Sequence, residues 1–316
     1  MSKSQYRASI LLLAYNQEDY IREAVNCALS QDAEGLEIIL SDDCSQDATF
    51  KIMCEMADAY DGPHDIVLNQ NRKNLGVNRH INHLVDMASA EVCVPFPADD
   101  TSMPNRVSRL LEVMERDDAL LVHTDASTVD GDGNPSEAWH HHALFYHTTD
   151  VTKAALSDSL FLGATSAYRR ELWRKYGPLP SYSKAFEDLI TGFRAALEGR
   201  ISYIDEKLVC YRQDVGISNA GGVSTRYRLD TMAESRERRK KMFVPRMTLF
   251  EQRLKDARTF GLPEDHDIIQ SLEAAVEKVR LRGHFYIMPW WRYVLKYGGP
   301  AIKTTLSELN YIVKRK

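Results

Sequence analysis

The chain has 316 residues and a mass of 36.1 kDa, enough for one large domain or two ordinary ones with a sizeable core. Hydrophobic residues at 44% and charged residues at 27% exclude a disordered, collagenous or coiled-coil chain. The net charge of −5 divides unevenly, with 20 basic against 34 acidic residues in 1–224 and 20 against 11 in 225–316, so a basic tail follows an acidic body.

Met1 to Arg7 lead directly into an apolar run, which argues against a secretory leader, and no apolar stretch is long enough to span a bilayer. That run, Ser9 to Ala14, reads as the first buried strand. Tyr20, Ile21, Ala24, Val25, Ala28 and Leu29 then lie on one helical face. The alternation repeats with strands at Leu36–Ser41, His64–Leu68 and Val92–Phe96 and amphipathic stretches around Ile52–Tyr60 and Ile81–Ala88. Pro104 opens a further helix with Val107, Leu110, Leu111 and Met114 inside. Such alternation predicts an α/β fold, an open and mostly parallel sheet flanked by helices. Ligands of such sheets bind at the carboxyl ends of the strands.

Further on, Ala119–Thr124 reads as a strand, Val129–Pro135 as a turn, Glu187–Glu198 as a helix and Ile201–Tyr211 as a strand. Gly221-Gly222 reads as a hinge, giving a catalytic domain over 1–222 and a helical C-terminal region over 223–316. In the latter, 225–260 is charged and helical, with Arg236 to Lys241 a solvated face and not a nucleic-acid site. A second helix covers about 264–283. The stretch from Phe285 to Tyr297 is aromatic and basic, a composition shared by peripheral membrane segments and by packing or homodimer contacts. Five scattered cysteines without a CxxC pair read as free thiols in a reducing, cytoplasmic compartment.

Acidic pairs stand where the second and fourth strands end, Asp42-Asp43 and Asp99-Asp100. One pair would pass for turn residues, but two at neighbouring strand ends favour a site for a hard cation. Six segments then occur in order: Ser9 to Asn16 with Glu18; Ser41 to Thr49; Asn74 to Asn82; Phe96 to Asp100; Gly163 to Arg170; and Phe186-Glu187-Asp188. In these the chain resembles the family 2 glycosyltransferases of the GT-A fold, over roughly residues 7–215, and among them bacterial enzymes of O-antigen and surface-polysaccharide synthesis.

The resemblance implies inverting, metal-dependent transfer of a sugar from a nucleotide-sugar donor, UDP favoured, to a carbohydrate acceptor. A lipid-linked oligosaccharide at the cytoplasmic face of the inner membrane is the expected acceptor. Tyr15 would stack on the uracil and Asp43, with Asp42, would accept from its N3–H. Ala14, Asn16, Glu18, Gly76 and Arg79 complete the nucleotide site. Asp99 and Asp100 occupy the acidic metal site, holding Mn²⁺ or Mg²⁺, with Asp100 the direct ligand. Asp188 matches the catalytic base, and Trp139, Thr165 and Glu187 lie on the sugar or acceptor side. The chain departs from the family at Gln213–Asn219, where relatives often carry His-Gly-Gly. Two other readings stay open: a sugar-phosphate nucleotidyltransferase, disfavoured because Asn16 to Tyr20 replaces a glycine-rich basic loop, and a non-catalytic assembly protein of the same fold. His140, His141 and His142 read as a loop near the acceptor in preference to a metal site, because consecutive residues of an extended chain point to alternate faces. His123 reads as a hydrogen-bonded core residue.

Overall fold

The computed structural model describes residues 5–181, 187–213, 215 and 232–313. It divides into two compact units, Met1–Gly222 and Val223–Lys316. The Gly221-Gly222 hinge, Phe186 and most of the loop Gln213–Asn219 lie outside the described residues.

The first unit opens with strand β1 (Ala8–Ala14), helix α1 (Ile21–Leu29), β2 (Leu36–Asp42), α2 (Thr49–Asp58), β3 (Asp65–Gln70), α3 (Val77–Met87) and β4 (Val92–Pro97). There follow β5 (Thr101–Ser102), α4 (Arg106–Arg116), β6 (Leu121–Val129), α5 (Val151–Leu156), β7 (Ser166–Arg169), α6 (Glu171–Tyr176), α7 (Glu187–Glu198) and β8 (Ile201–Arg212). Among the described residues the strands form one eight-stranded sheet in the order β3-β2-β1-β4-β7-β6-β8-β5. Pairings β3–β2, β2–β1, β1–β4 and β6–β8 are parallel, and the three that involve β7 or β5 are antiparallel.

Continuous burial explains why β1 and β2 read as unbroken apolar runs. Ile10, Leu12, Ile38 and Leu40 are sealed under α1 and α4, against Ile21, Val25, Val107 and Leu110. Each such side chain contributes about 1.5–3 kcal/mol. The strand ends carrying the two acidic pairs are not neighbours, contrary to the sequence reading: β1 stands between β2 and β4. Pro104 lies before α4, whose N-cap is Asn105. Strand β6 runs on to Val129, and the expected turn is closed by a bridge between Val129 and Pro135, with the Asp130 carboxylate accepting from the Asp132 and Asn134 amides.

The second unit holds α8 (Met232–Phe260), α9 (Asp267–Ile287), α10 (Trp290–Tyr297) and α11 (Gly299–Val313). Its core gathers Leu249, Ala257, Ile269 and Leu272, with the Phe243 and Tyr286 rings stacked 6.2 Å apart. The His266 ring caps α9, its Nδ1 accepting from the Ile268 amide at 3.1 Å. On α10 and α11, Tyr293 and Ala301 point inward while Trp290, Trp291, Leu295, Ile302 and Leu306 are exposed. No helix among the described residues is long and apolar enough to cross a membrane.

Candidate active site

The loop after β1 is stitched to the loop after β2. The Asn16 amide donates to Ser45 Oγ at 2.8 Å, and Asn16 Oδ1 accepts from the Gln46 amide at 2.9 Å. Glu18 Oε2 accepts from the Ala48 amide at 2.9 Å, while the Glu18 amide donates to Asp47 at 3.1 Å. Asn16 takes a left-handed φ of 52°, which Asn tolerates better than most residues. Both polar side chains are thus committed to the loop itself, and Tyr15, just before them, lines a cavity of about 420 Å³.

The acidic pair after β2 splits in function because successive strand residues point to opposite faces. Asp42 is fully buried and accepts from the Ser45 amide, the Ser45 hydroxyl and Gln70 Nε2. It does not line the cavity, whereas Asp43 does. Asp43 accepts from Asn71 Nδ2 and the Leu75 amide, both at 2.8 Å, and from the Gly76 amide at 2.9 Å. Gly76 has a φ of 78°, a backbone few other residues adopt, so it makes the turn that brings these amides to Asp43. Gly76 itself and the exposed Arg79 on α3 stand outside the cavity lining. His80, one residue on, does line it. Burial pushes its pKa down to about 4, so it is neutral, and it bonds Ser41 Oγ at 2.6 Å.

Asp99 and Asp100 follow β4 on the opposite wall. Asp100 is 6% exposed; its Oδ1 accepts from the Arg212 amide at 2.8 Å, and its Oδ2 is buried without a hydrogen-bond partner. Burial, and then the neighbouring Asp99, raise its pKa well above the carboxylate range. Burial pushes Asp99 up to about 6. Two desolvated carboxyls lining the cavity, one with a buried and unpartnered oxygen, offer the all-oxygen donor set of a hard divalent cation, so the residues fit the expected metal.

Two arginines that sequence reasoning passed over build this wall. Arg106 is fully buried and donates to the carbonyls of Pro95 (3.1 Å) and Ala164 (2.6 Å), with its guanidinium 4.5 Å from the Phe96 ring centroid. Burial lowers its pKa to about 9, against the pull of Asp100. Arg212 donates to the Asp99 carbonyl at 2.8 Å and stacks over Tyr20. The signal for Arg106 was its position one residue before, and four before, apolar residues of the inward stripe.

Glu187 and Asp188 enter the cavity from the start of α7. Gly163 lies against them: a Cβ there would stand 2.9 Å from Glu187 Oε1 and 3.3 Å from Asp188 Cβ. Burial, reinforced by the Asp188 charge, pushes Glu187 up to about 8. Trp139, 45% exposed, lines the rim with its ring edge toward Tyr211. Thr165 is fully buried and donates to the Leu162 carbonyl at 2.7 Å, so it holds a turn and does not face the sugar side.

The histidine row departs from expectation. Trp139–His142 form one turn of 3₁₀ helix, so consecutive rings do not diverge, and His140 and His141 both reach Asp125 on β6. His123 is packed among Phe145, Tyr146, Phe161 and Tyr203, and neither ring nitrogen has a hydrogen-bond partner. Burial pushes its pKa down to about 3, against a weaker upward pull from the Phe145 and Thr124 backbone.

Comparison with known proteins adds four findings. The family model described as glycosyl transferase family 2 matches residues 9–177. An uncharacterized protein of Mycobacterium tuberculosis is 28% identical over 214 residues, 65% of this chain and 58% of its own length, so the chain spans under two thirds of that relative. A putative teichuronic acid biosynthesis glycosyltransferase of Bacillus subtilis, TuaG, is 27% identical over 42% of this chain and 52% of its own length. Among solved structures, residues 1–349 of S. aureus TarS in complex with UDP-GlcNAc superpose with a TM-score of 0.60 at 16% identity, covering 98% of this chain and 81% of that one. At that identity the likeness shows a shared fold.

Proposed function

Because the chain belongs to glycosyl transferase family 2, we propose that it transfers a sugar from a nucleotide-sugar donor to a carbohydrate acceptor, with inversion at the anomeric carbon. The observation that carries this reading is the convergence of Tyr15, Asp43, Asp99, Asp100 and Asp188 on one cavity at the carboxyl ends of β1, β2 and β4. Tyr15 offers a ring face for the base, and Asp43, fixed by its three donors, keeps one lone pair, on Oδ2, for a pyrimidine N–H. A UDP-sugar is the donor this pair suits best.

A Mn²⁺ or Mg²⁺ ion held by Asp100 and Asp99 would neutralise the charge that grows on the departing diphosphate. Asp188 accepts the proton of the acceptor hydroxyl as its oxygen bonds to the anomeric carbon and the bond to the diphosphate breaks. Glu187, with a pKa of about 8, is protonated at neutral pH and places no second negative charge beside that base. His80, held neutral, adds no competing charge on the donor side.

The likeness to TuaG supports an acceptor in surface-polysaccharide synthesis. The exposed Trp290, Trp291 and Leu295, with Arg292 and Lys296 on the same short helix, support peripheral contact with an anionic membrane face, where a lipid-linked acceptor would lie. Incubating the full chain with a panel of nucleotide sugars, with and without Mn²⁺, tests the reading. Melting should shift upward with a UDP-sugar and Mn²⁺ together, and UDP should be released. No response to any nucleotide sugar sinks the proposal; release of pyrophosphate from a nucleoside triphosphate and a sugar phosphate would replace it with nucleotidyl transfer.

A further inference from the structure

A second cluster of ligating side chains lies beside the cavity rim. Asp125, in the middle of β6, receives the Nε2 atoms of His140 at 2.9 Å and His141 at 2.6 Å on a single oxygen, Oδ1. The same oxygen also accepts from the Ala126 amide at 2.7 Å. A carboxylate oxygen has two in-plane lone pairs, so three N–H donors are one more than it can satisfy well. The crowding is relieved if the rings present lone pairs and a cation stands between them and the carboxylate. The candidate ligand atoms lie within 4.8 Å of one another, and tetrahedral ligands on bonds of about 2.0–2.2 Å stand about 3.3–3.6 Å apart, so small ring movements would admit one ion.

We propose that Asp125, His140 and His141 form a transition-metal site of the Zn²⁺ class, separate from the Asp99–Asp100 pair. Two imidazoles and one carboxylate suit Zn²⁺ far better than Mg²⁺ or Mn²⁺, which prefer oxygen alone. Both rings must be neutral to bind, and burial holds His140 below its ordinary pKa. His140 is fully buried and anchors the site, whereas the His141 side chain is 46% exposed and leaves a side open for water as a fourth ligand. Lys207 is the register partner of Asp125 and brings positive charge nearby, which works against a bound cation. The ion would pin the 3₁₀ turn Trp139–His142 to β6 and thereby fix Trp139, which lines the cavity rim. This places a metal-dependent clamp on the rim of the candidate active site.

The test uses the untagged full chain, stripped with a chelator and titrated with Zn²⁺, and with Co²⁺ for its visible spectrum. One equivalent of Zn²⁺ should bind, Co²⁺ should give the intense absorption of a tetrahedral nitrogen–oxygen site, and melting should shift upward with Zn²⁺. His141→Ala changes a half-exposed ring and should fold, yet should weaken Zn²⁺ binding at least tenfold, as should Asp125→Asn. Asp100→Asn should leave Zn²⁺ binding unchanged. Absence of binding by the full chain overturns the proposal, as does binding that survives His141→Ala. Binding lost in Asp100→Asn overturns it too, by moving the ion to the acidic pair.

Discussion

Asp188 and Glu187 are adjacent carboxyls with opposite expected states, and substitution separates them. Asp188→Asn keeps shape and hydrogen bonding but removes basicity, so kcat should fall by about two to four orders of magnitude with donor affinity and Tm near wild type. A near-normal rate would move the base elsewhere. Glu187 is tested by stability. Its folded pKa of about 8 lies above the ordinary 4.5, so between those values the folded chain holds a proton that the unfolded chain has lost. The stabilisation is therefore complete below about pH 4.5 and drains away as pH rises toward 8. Melting curves across that window should fall more steeply with pH for wild type than for Glu187→Gln. Parallel curves would mean that Glu187 ionises normally. The sequence could name the Asp42-Asp43 pair but not divide it. Which member turned to the cavity depended on strand phase, and Asp42 went to the Ser45 turn.

At the scale of elements, Arg106 ties α4 to β4 and to the turn before β7 through the Pro95 and Ala164 carbonyls. Arg106→Met fills the space but leaves buried carbonyls unpaired, so stability should drop by about 3 kcal/mol in denaturant titration. A loss under about 1 kcal/mol would show that water replaces the guanidinium. Much of the architecture was legible because β1, β2 and β4 are buried on both faces and their helices carry clean apolar stripes. Strands β7 and β5 were not, since four residues (Ser166–Arg169) and two (Thr101–Ser102) show no period. The backbone at the histidine row was not legible either: it coils into a 3₁₀ turn where an extended chain was assumed.

For the molecule as a whole, the excess of basic over acidic residues lies in the second unit, 20 against 11 in 225–316. Each basic residue near an anionic surface contributes roughly 1 kcal/mol, so Arg292, Lys296 and Lys303 together could change vesicle affinity by about two orders of magnitude. Replacing Trp290, Trp291 and Leu295 by Ser should abolish sedimentation with anionic vesicles at low salt while donor binding stays unchanged; retained sedimentation would assign the helix to another role. In the first unit, sheet order has a kinetic consequence. Ala98, Asp99 and Asp100 span from central β4 to β5 at the sheet edge, where β5 pairs with β8 through Thr101–Cys210 and Ser102–Val209, and the Met103 amide adds a bond to the Leu208 carbonyl. Tyr15 and Asp43 stand instead at the ends of β1 and β2, inside the sheet. Local opening at the edge costs less than opening the interior, so amides of Thr101, Ser102 and Arg212 should exchange with deuterium sooner than those of Leu11 and Ile39. On the proposed reading, a spent nucleotide would then let go phosphate end first, with its base still lodged against Tyr15.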